Sequence, residues 1–228
     1  SDLATVKITE RRWRIMRSAL QNYARTLKFS LYIIVNPFKG FWDMKREKKG
    51  SLSAALTILA LAVISTVAEA QYLSFPFNTA YYEPKNFFSA SLSLLLPFAL
   101  WCVVSYCLTT LMNGEGAFRD IVMATCYALT PMVLTYIPLT LISYALTLEE
   151  SGLVTLVHTV VLIWTAFLLI AGTLEIHQYT MFKTVMTILF TIIGIAIVIF
   201  LGLLLFTLMD QMWTFVSNLA EEISLRLR

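Results

Sequence analysis

The sequence predicts an all-α integral membrane protein with five transmembrane helices, a basic amphipathic helix before them and an amphipathic helix after them. Three observations lead to this prediction: an apolar composition, basic residues gathered at one end, and five long apolar runs. Hydrophobic residues make up 58% of the 228 residues and charged residues 14%, whereas roughly a quarter of the residues are charged in soluble domains. Most of the chain is therefore expected to lie in lipid.

Five apolar segments are long enough to cross a bilayer. A crossing needs about 20 residues, because the hydrocarbon core is roughly 30 Å thick and a helix rises about 1.5 Å per residue. Within a membrane domain of residues 51–209, the predicted spans are 52–72, 88–111, 121–148, 153–174 and 184–209. All connections but the first are short, so neighbouring helices are expected to be antiparallel.

The distribution of lysine and arginine predicts the orientation of these spans. Residues 1–50, the predicted cytoplasmic segment, hold 12 of the 17 basic residues. With the amino terminus inside, the inner segments hold 14 basic residues and the outer segments three, as the positive-inside rule requires. We expect a multi-pass protein of the plasma (inner) membrane with a cytoplasmic amino terminus and an extracytoplasmic carboxy terminus.

Amphipathic segments flank the spans on both sides. Over residues 10–35 apolar side chains recur every three or four positions with arginines between them, and the pattern ends at Asn36-Pro37, where proline disfavours helix. A second apolar stripe runs through residues 210–228. Each helix can lie on lipid or on a protein partner, and the sequence does not choose. Candidate contacts to lipid headgroups are Arg11, Arg12, Arg14, Arg17, Lys45, Arg46, Lys48 and Lys49.

The chain has few of the residues that catalysis or metal binding requires. Its only histidines are His158 and His177, and the predicted topology places them at opposite ends of the fourth span, where they cannot share a metal. The three cysteines match no zinc or disulfide spacing, and no nucleophile or nucleotide motif occurs. We expect a protein that is not an enzyme, needs no cofactor or metal, and contacts the bilayer rather than nucleic acid.

Two ionisable residues fall inside the spans, where an unpaired charge costs roughly 3 kcal/mol. They are Glu69, near the outer end of the first span, and His158, in the fourth. His158 is a candidate intramembrane polar contact that could belong to a proton path or to a helix interface. The helix interface is favoured, because the sequence places no acid of another span at a matching depth.

Three short stretches resemble the bacterial branch of the Yip (Ypt-interacting protein) family of five-span membrane proteins. They are Asn36-Pro37-Phe38-Lys39-Gly40-Phe41, the turn from Gly114 to Asp120 that leads to Tyr127-Ala128-Leu129-Thr130-Pro131, and Glu175-Ile176-His177-Gln178-Tyr179. The likeness covers roughly residues 36–208. It implies a small helical membrane protein without catalytic activity. Eukaryotic members associate with Rab-type GTPases, and some bacterial members look like companions of carbohydrate transport systems.

Two predicted inner turns hold the candidate sites for docking a partner or fixing a turn. Glycines permit a tight turn in the first, and its arginine can reach phosphates or helix carboxy ends. The polar residues of the second can fix the hairpin, the first turn or a docked protein. The candidates are Gly114, Gly116, Phe118, Arg119, Glu175, His177, Gln178 and Tyr179.

Three functional hypotheses follow from these features. The leading one is a non-catalytic scaffold or accessory subunit that binds another membrane protein complex, such as a carbohydrate transport system. The second is a small transporter or channel, for which Pro131, Pro138 and His158 would shape the pathway. The third is membrane shaping or lipid binding through the basic helix.

Overall fold

The computed structural model of the chain describes residues 23, 25–72, 86–146 and 148–226. These residues form eight α-helices joined by turns, and no strand occurs among them. A 3₁₀ turn, Leu148–Glu150, precedes the seventh helix. The helices are α1 (25–35), α2 (Pro37–Arg46), α3 (Leu52–Tyr72), α4 (Phe87–Leu111), α5 (Phe118–Ala128), α6 (Thr130–Ile142), α7 (Ser151–His177) and α8 (Met181–Arg226).

Five helical segments are long and apolar enough to cross a membrane, which confirms the predicted fold class. They are Leu52–Tyr72, Phe87–Leu111, Phe118–Ile142, Ser151–His177 and Met181–Leu219. The amino-terminal half of the predicted basic helix, with Arg11, Arg12, Arg14 and Arg17, lies outside the described residues.

The third span consists of two helices, α5 and α6, that meet at Leu129. Pro131 lies in the first turn of α6, where its missing N–H breaks no helical hydrogen bond. The hydroxyl of Thr130 donates to the carbonyl of Tyr127 at 2.6 Å and so satisfies one acceptor at the end of α5. Pro138, by contrast, lies inside α6 without ending it. The first proline therefore marks a helix junction and the second does not.

The core draws its buried residues chiefly from α2, α3, α5 and α7, and α2 packs mainly against α7. Tyr127 of α5 and Phe41 of α2 are fully buried at its centre. A Cβ atom added to Gly172 of α7 would lie 3.4 Å from the ring of Phe41, so the absence of a side chain there lets the short helix approach. This packing holds α2 alongside the carboxy-terminal part of α7.

Ion pairs close the turn that follows α2. Lys48 there adopts a left-handed backbone with φ of 52°, and Lys49 donates from Nζ to the buried carboxylate of Asp43 at 2.8 Å. Hydrogen bonds to Asp43 and Glu47 raise the pKa of Lys49 above its ordinary value. The buried carboxylate is thereby paired with a cation.

α8 joins the bundle only through its first four turns. Thr184, Thr187 and Thr191 are at most 1% exposed, and a Cβ added to Gly194 would lie 2.7 Å from Val104 of α4. These small residues at steps of three and four allow close helix packing. Beyond them, every side chain described between Ala196 and Leu225 is exposed.

The carboxy-terminal segment continues α8 without a break. The sequence separates the fifth span, 184–209, from an amphipathic helix over 210–228, whereas the structure has one helix of 46 residues that covers both. Asp210 marks the predicted boundary, but an exposed acid does not interrupt the backbone hydrogen bonds of a helix.

Candidate functional site

The two predicted inner turns pack against each other at one end of the bundle. We name residues 112–117, between α4 and α5, the glycine turn, and residues 177–180, at the end of α7, the histidine turn. Each follows a helix that ends with a left-handed residue, Asn113 at φ of 54° and Gln178 at φ of 53°. The N–H of Gly114 donates to the carbonyl of Thr109 at 2.8 Å, which satisfies an acceptor at the end of α4.

His177 links the two turns by a hydrogen bond. The backbone N–H of Gly116 donates to Nδ1 of His177 at 3.3 Å, and the imidazole is only 3% exposed. A ring nitrogen can accept a hydrogen bond only when it carries no proton, so the geometry requires the neutral imidazole. His177 therefore acts as an uncharged buried acceptor rather than as a surface cation.

The glycines are needed for space rather than for backbone freedom. A Cβ on Gly116 would lie 2.6 Å from Cε1 of His177, and a Cβ on Gly114 would lie 2.6 Å from both Nδ1 of His177 and the hydroxyl of Tyr179. No glycine in the described part of the chain has a positive φ. The sequence attributed these glycines to the backbone freedom that a tight turn needs. In the structure they are required because any larger residue would push the two turns apart.

Tyr179 and Lys183 contact the carbonyl groups at the end of α4. The hydroxyl of Tyr179 is 3.4 Å from the carbonyl oxygens of Thr109 and Met112. Nζ of Lys183 donates a hydrogen bond to the carbonyl oxygen of Met112 at 2.8 Å. The same Nζ lies 4.0 Å from the centre of the Tyr179 ring, a cation–π distance. A cation at a helix carboxy end also opposes the negative end of the helix dipole.

Burial shapes the chemistry of Tyr179 itself. Its side chain is 7% exposed, and its ring stacks on that of His177 with centroids 5.3 Å apart. Burial raises the pKa of Tyr179, because an apolar surrounding disfavours the phenolate. The hydroxyl thus remains a donor at physiological pH.

α2 forms the third side of the site. Lys45, whose side chain is 15% exposed, donates to the carbonyl of Ile176 and lies 3.7 Å from the carboxylate of Glu115. Arg46 lies 4.0 Å from the same carboxylate, and both groups of that pair are largely exposed. An exposed ion pair stabilises by about 1 kcal/mol or less, so the buried contact of Lys45 is the stronger link.

The remaining candidates form an outer rim. Phe118 is 43% exposed and packs edge-on against Tyr106. Arg119 is exposed and makes no hydrogen bond or ion pair with the described residues. The side chain of Gln178 is also exposed and donates to the carbonyl of Glu175 at 2.7 Å. The eight candidates therefore divide into two groups. In the inner group, Gly114 and Gly116 are half-buried and His177 and Tyr179 are buried; the rim, which can meet other molecules, consists of exposed Phe118, Arg119 and Gln178 and half-buried Glu175.

A small cleft opens beside the inner group, and its polar lining comes from Ser105, Thr125, Thr173 and His177. The space that the centre of a water molecule can occupy in it is about 10 Å³, which is enough for about one water and too little for a small-molecule ligand. Within the described residues, no three His, Cys, Asp or Glu side chains are placed to hold a metal ion. The polar groups of the site chiefly satisfy one another.

The structure also joins residues that the sequence left apart. Lys45, Met112 and Lys183 complete the contact between the turns, although nothing along the chain relates them. Nε2 of His158 contacts Oε1 of Glu69, so the expectation that no acid of another span matches the depth of His158 was wrong. Glu69 lies in α3 and His158 in α7. Both helices pack against α6, which brings them together.

These features define a multi-pass, all-helical membrane protein whose two turns interlock at one end. The Yip1 domain family matches residues 31–209, a region that includes both turns, the first four spans and most of the fifth. The chain belongs to the Yip1 family. No curated protein and no solved structure matches it.

Gly116→Ala should destabilise the protein because the new methyl group meets the His177 ring. We expect a loss of about 1 to 3 kcal/mol, as for other overpacked sites, measured by thermal unfolding in detergent. Gly152→Ala is the matched control, since nothing lies within 4 Å of its Cβ position; alanine in that helix should be neutral or stabilising. Equal losses in both variants would contradict the space argument.

Lys183→Met should loosen the contact between α8 and the glycine turn. It removes a charged donor from the Met112 carbonyl and the cation from the Tyr179 ring, so we expect a loss of about 1.5 to 3 kcal/mol in the free energy of unfolding. Lys39→Met, at an exposed position of α2, makes the same chemical change and should cost little. The interpretation fails if the two variants unfold alike.

Proposed function

We propose that the protein is a non-catalytic accessory or scaffold subunit that binds another integral membrane protein, and that α8 is its binding element. The observation that supports this proposal is the combination of length and exposure in α8. In an 18-residue apolar stretch of its span, Met181–Leu219, 6% of the residues are buried, whereas 61% are buried in the corresponding stretch of the span Phe118–Ile142.

The length of α8 exceeds what a bilayer can cover. At about 1.5 Å per residue its 46 residues extend roughly 69 Å, while the hydrocarbon core is roughly 30 Å thick. Half of the helix or more therefore projects beyond lipid tails if α8 crosses as the other spans do. That half still bears large exposed side chains, among them Met212, Trp213 and Phe215.

The projecting half of α8 is amphipathic. At 100° per residue, Met212, Phe215, Val216, Leu219 and Ile223 fall on one side, and Asp210, Thr214 and Ser217 fall on the other. Because the helix continues unbroken from the span, this apolar stripe projects away from the plane of the bilayer. An apolar stripe in water favours a protein partner that lays its own apolar surface on the helix.

The partner we propose is a membrane complex, and a carbohydrate transport system is the class that the family resemblance suggests. We infer a second contact surface at the rim of the two turns, where Phe118, Arg119, Glu175 and Gln178 can meet a protein on the inner face. Lys48, which follows α2, is exposed. We propose that it contacts lipid headgroups, together with Arg11, Arg12, Arg14 and Arg17.

We propose an orientation in the plasma membrane with the glycine and histidine turns in the cytoplasm. Lys45, Arg46, Arg119 and Lys183 all lie at that end of the bundle, in agreement with the positive-inside rule. A fluorescent protein fused to the amino terminus should fluoresce, and alkaline phosphatase fused after residue 228 should be active, because each reporter matures on one side only. The reverse pattern would refute the orientation.

Partner binding can be tested by purification in a gentle detergent with quantitative mass spectrometry. We expect a stoichiometric companion with the full chain, and at least a tenfold smaller amount with Phe215→Ser/Leu219→Ser, which corresponds to about 1.4 kcal/mol of binding free energy. Both residues are exposed, so the amount of protein in the membrane should not change.

Thr214→Ala/Ser217→Ala is the matched control for that experiment. These residues lie on the opposite face of the same helix turns and bond only to carbonyls of α8, so the companion should be retained. A monodisperse monomer without a companion, or equal losses in the two double variants, would count against the proposal.

A further inference from the structure

α2 runs alongside α7 in the same direction, with its first residues farthest from the histidine turn. The ring of Phe38, at the start of α2, lies edge-on to that of Phe167, with centroids 6.0 Å apart. Near the end of α2, Lys45 donates a hydrogen bond to the carbonyl of Ile176. Residues later in α2 therefore meet residues later in α7, so α2 points from inside the fourth span toward its carboxy end.

These contacts give the depth of α2 in the bilayer. Phe167 lies ten residues before the end of α7, which is about 15 Å along a helix. α7 has 27 residues, so its length of about 40 Å exceeds the thickness of the hydrocarbon core by roughly 10 Å. Shared between the two ends of α7, that excess leaves the start of α2 about 10 Å below the headgroups.

α1 forms a second limb that leads down to the same depth. The hydroxyl of Ser51, the residue before α3, donates to that of Thr26 at 3.5 Å, so α1 begins beside the start of the first span. Nearer the end of α1, a Cβ added to Gly40 would lie 2.8 Å from Cγ1 and 3.1 Å from Cα of Ile33. α1 and α2 therefore pack closely on each other beside the turn that joins them.

The turn between the two limbs pairs its own backbone groups. Asn36 is the single residue between α1 and α2. Its N–H donates to the carbonyl of Tyr32 at 2.9 Å, and its carbonyl accepts from the N–H of Gly40 at 2.8 Å. Pro37, which follows, has no N–H. The turn thus exposes no unpaired donor, as hydrocarbon requires of a backbone that enters it.

The sequence around this turn is apolar over a length that suits partial entry into a bilayer. Residues 29–42 read FSLYIIVNPFKGFW, and an apolar run of about 10 to 14 residues is too short to span but typical of re-entrant segments. Lys39 is the only charged residue of this run. Its side chain is exposed, and the stem of a lysine can carry the ammonium group toward the headgroups.

The outer surfaces of the two limbs are apolar near the turn and basic away from it. Four large apolar side chains on these surfaces are exposed, namely Leu31, Val35, Phe38 and Trp42. Exposed basic side chains lie toward the open end of the two limbs, namely Arg25, Lys28 and Arg46. This gradient matches a structure whose turn lies among acyl chains and whose open end lies among headgroups.

We propose that α1 and α2 form a re-entrant hairpin that occupies one leaflet of the bilayer, on the side of the histidine turn. Its outer apolar face binds the acyl chains of the phospholipids in that leaflet. From the sequence, residues 1–50 were expected to stay outside the hydrocarbon, whereas the hairpin brings residues 29–42 into it. Because the hairpin enters and leaves on one side, it adds cross-section to that leaflet alone.

The test is the depth of a nitroxide label on the full chain, reconstituted in vesicles of phosphatidylcholine and phosphatidylglycerol. The label is attached to Val35→Cys, whose side chain in the wild type is 75% exposed. Cys107, the exposed cysteine, is replaced by serine, while Cys102 and Cys126 are buried and should not react. Collisions of the label are measured with oxygen, which concentrates in lipid, and with a nickel chelate, which stays in water. The same chain without an added cysteine measures the background.

We expect the label at Val35 to collide more often with oxygen than with the chelate, at a depth of about 10 Å below the headgroups. Ala166→Cys is the matched reference, because Ala166 is exposed on α7 next to Phe167. The two labels should agree in depth to within about one helical turn, or about 5 Å. Lys48→Cys, at an exposed position after α2, is the aqueous reference and should show the opposite preference.

Two results would overturn the proposal. A label at Val35 that behaves like the one at Lys48 would place the turn in water, and a label that collides with neither reagent would mean that protein covers it. Leu31→Cys, one turn earlier on the same face and 48% exposed in the wild type, should also favour oxygen and decides if Val35→Cys does not fold. Because the readout is depth rather than partner capture, failure here would leave the proposed role of α8 unaffected.

Discussion

The close approach of the glycine turn to the histidine turn is the contact on which the rest of this structure depends. At this point α4 and α7 end side by side, and α5 and α8 begin. Each helix end carries backbone groups without helical partners, and a buried group left without a partner costs about 1 to 3 kcal/mol. His177, Tyr179 and Lys183 supply those partners, and the two glycines give them room. Because the contact joins four helices, a small change in it should be felt across the bundle.

The attachment of α8 follows from this contact. Lys183 lies against the glycine turn, and threonines on the next turns bury themselves against α4, so the direction of the helix is set at its base. The remainder has no covering side chains in the described part of the chain, yet it is rich in large apolar residues. A helix fixed at one end and apolar at the other is suited to present a surface to a second membrane protein. Binding through an apolar helix face requires no catalytic residues. This agrees with a site whose polar groups form hydrogen bonds with one another.

The sequence predicts the spans well because lipid imposes a simple requirement of length and apolarity on each helix separately. Pairing between helices is another matter, since it depends on packing that no single segment records. The chain pattern selected Gly114, Gly116, His177 and Tyr179, but not the contact that joins them, and it attributed the glycines to backbone freedom. Glu69 and His158 were judged unmatched because depth counted along two helices is uncertain by about a turn. The side chains of Lys45 and Lys183 were visible as charges, while their carbonyl partners were not.

The most direct test of the interlocked turns is a double-mutant cycle between Gly116→Ala and His177→Ala, with the free energy of unfolding measured in detergent. If the methyl group is costly because it meets the imidazole, removal of the ring should make room for it. The loss caused by Gly116→Ala should then be much smaller in the His177→Ala background than in the wild type. Additive losses would mean that the two residues act independently, and the contact would not be the constraint described here.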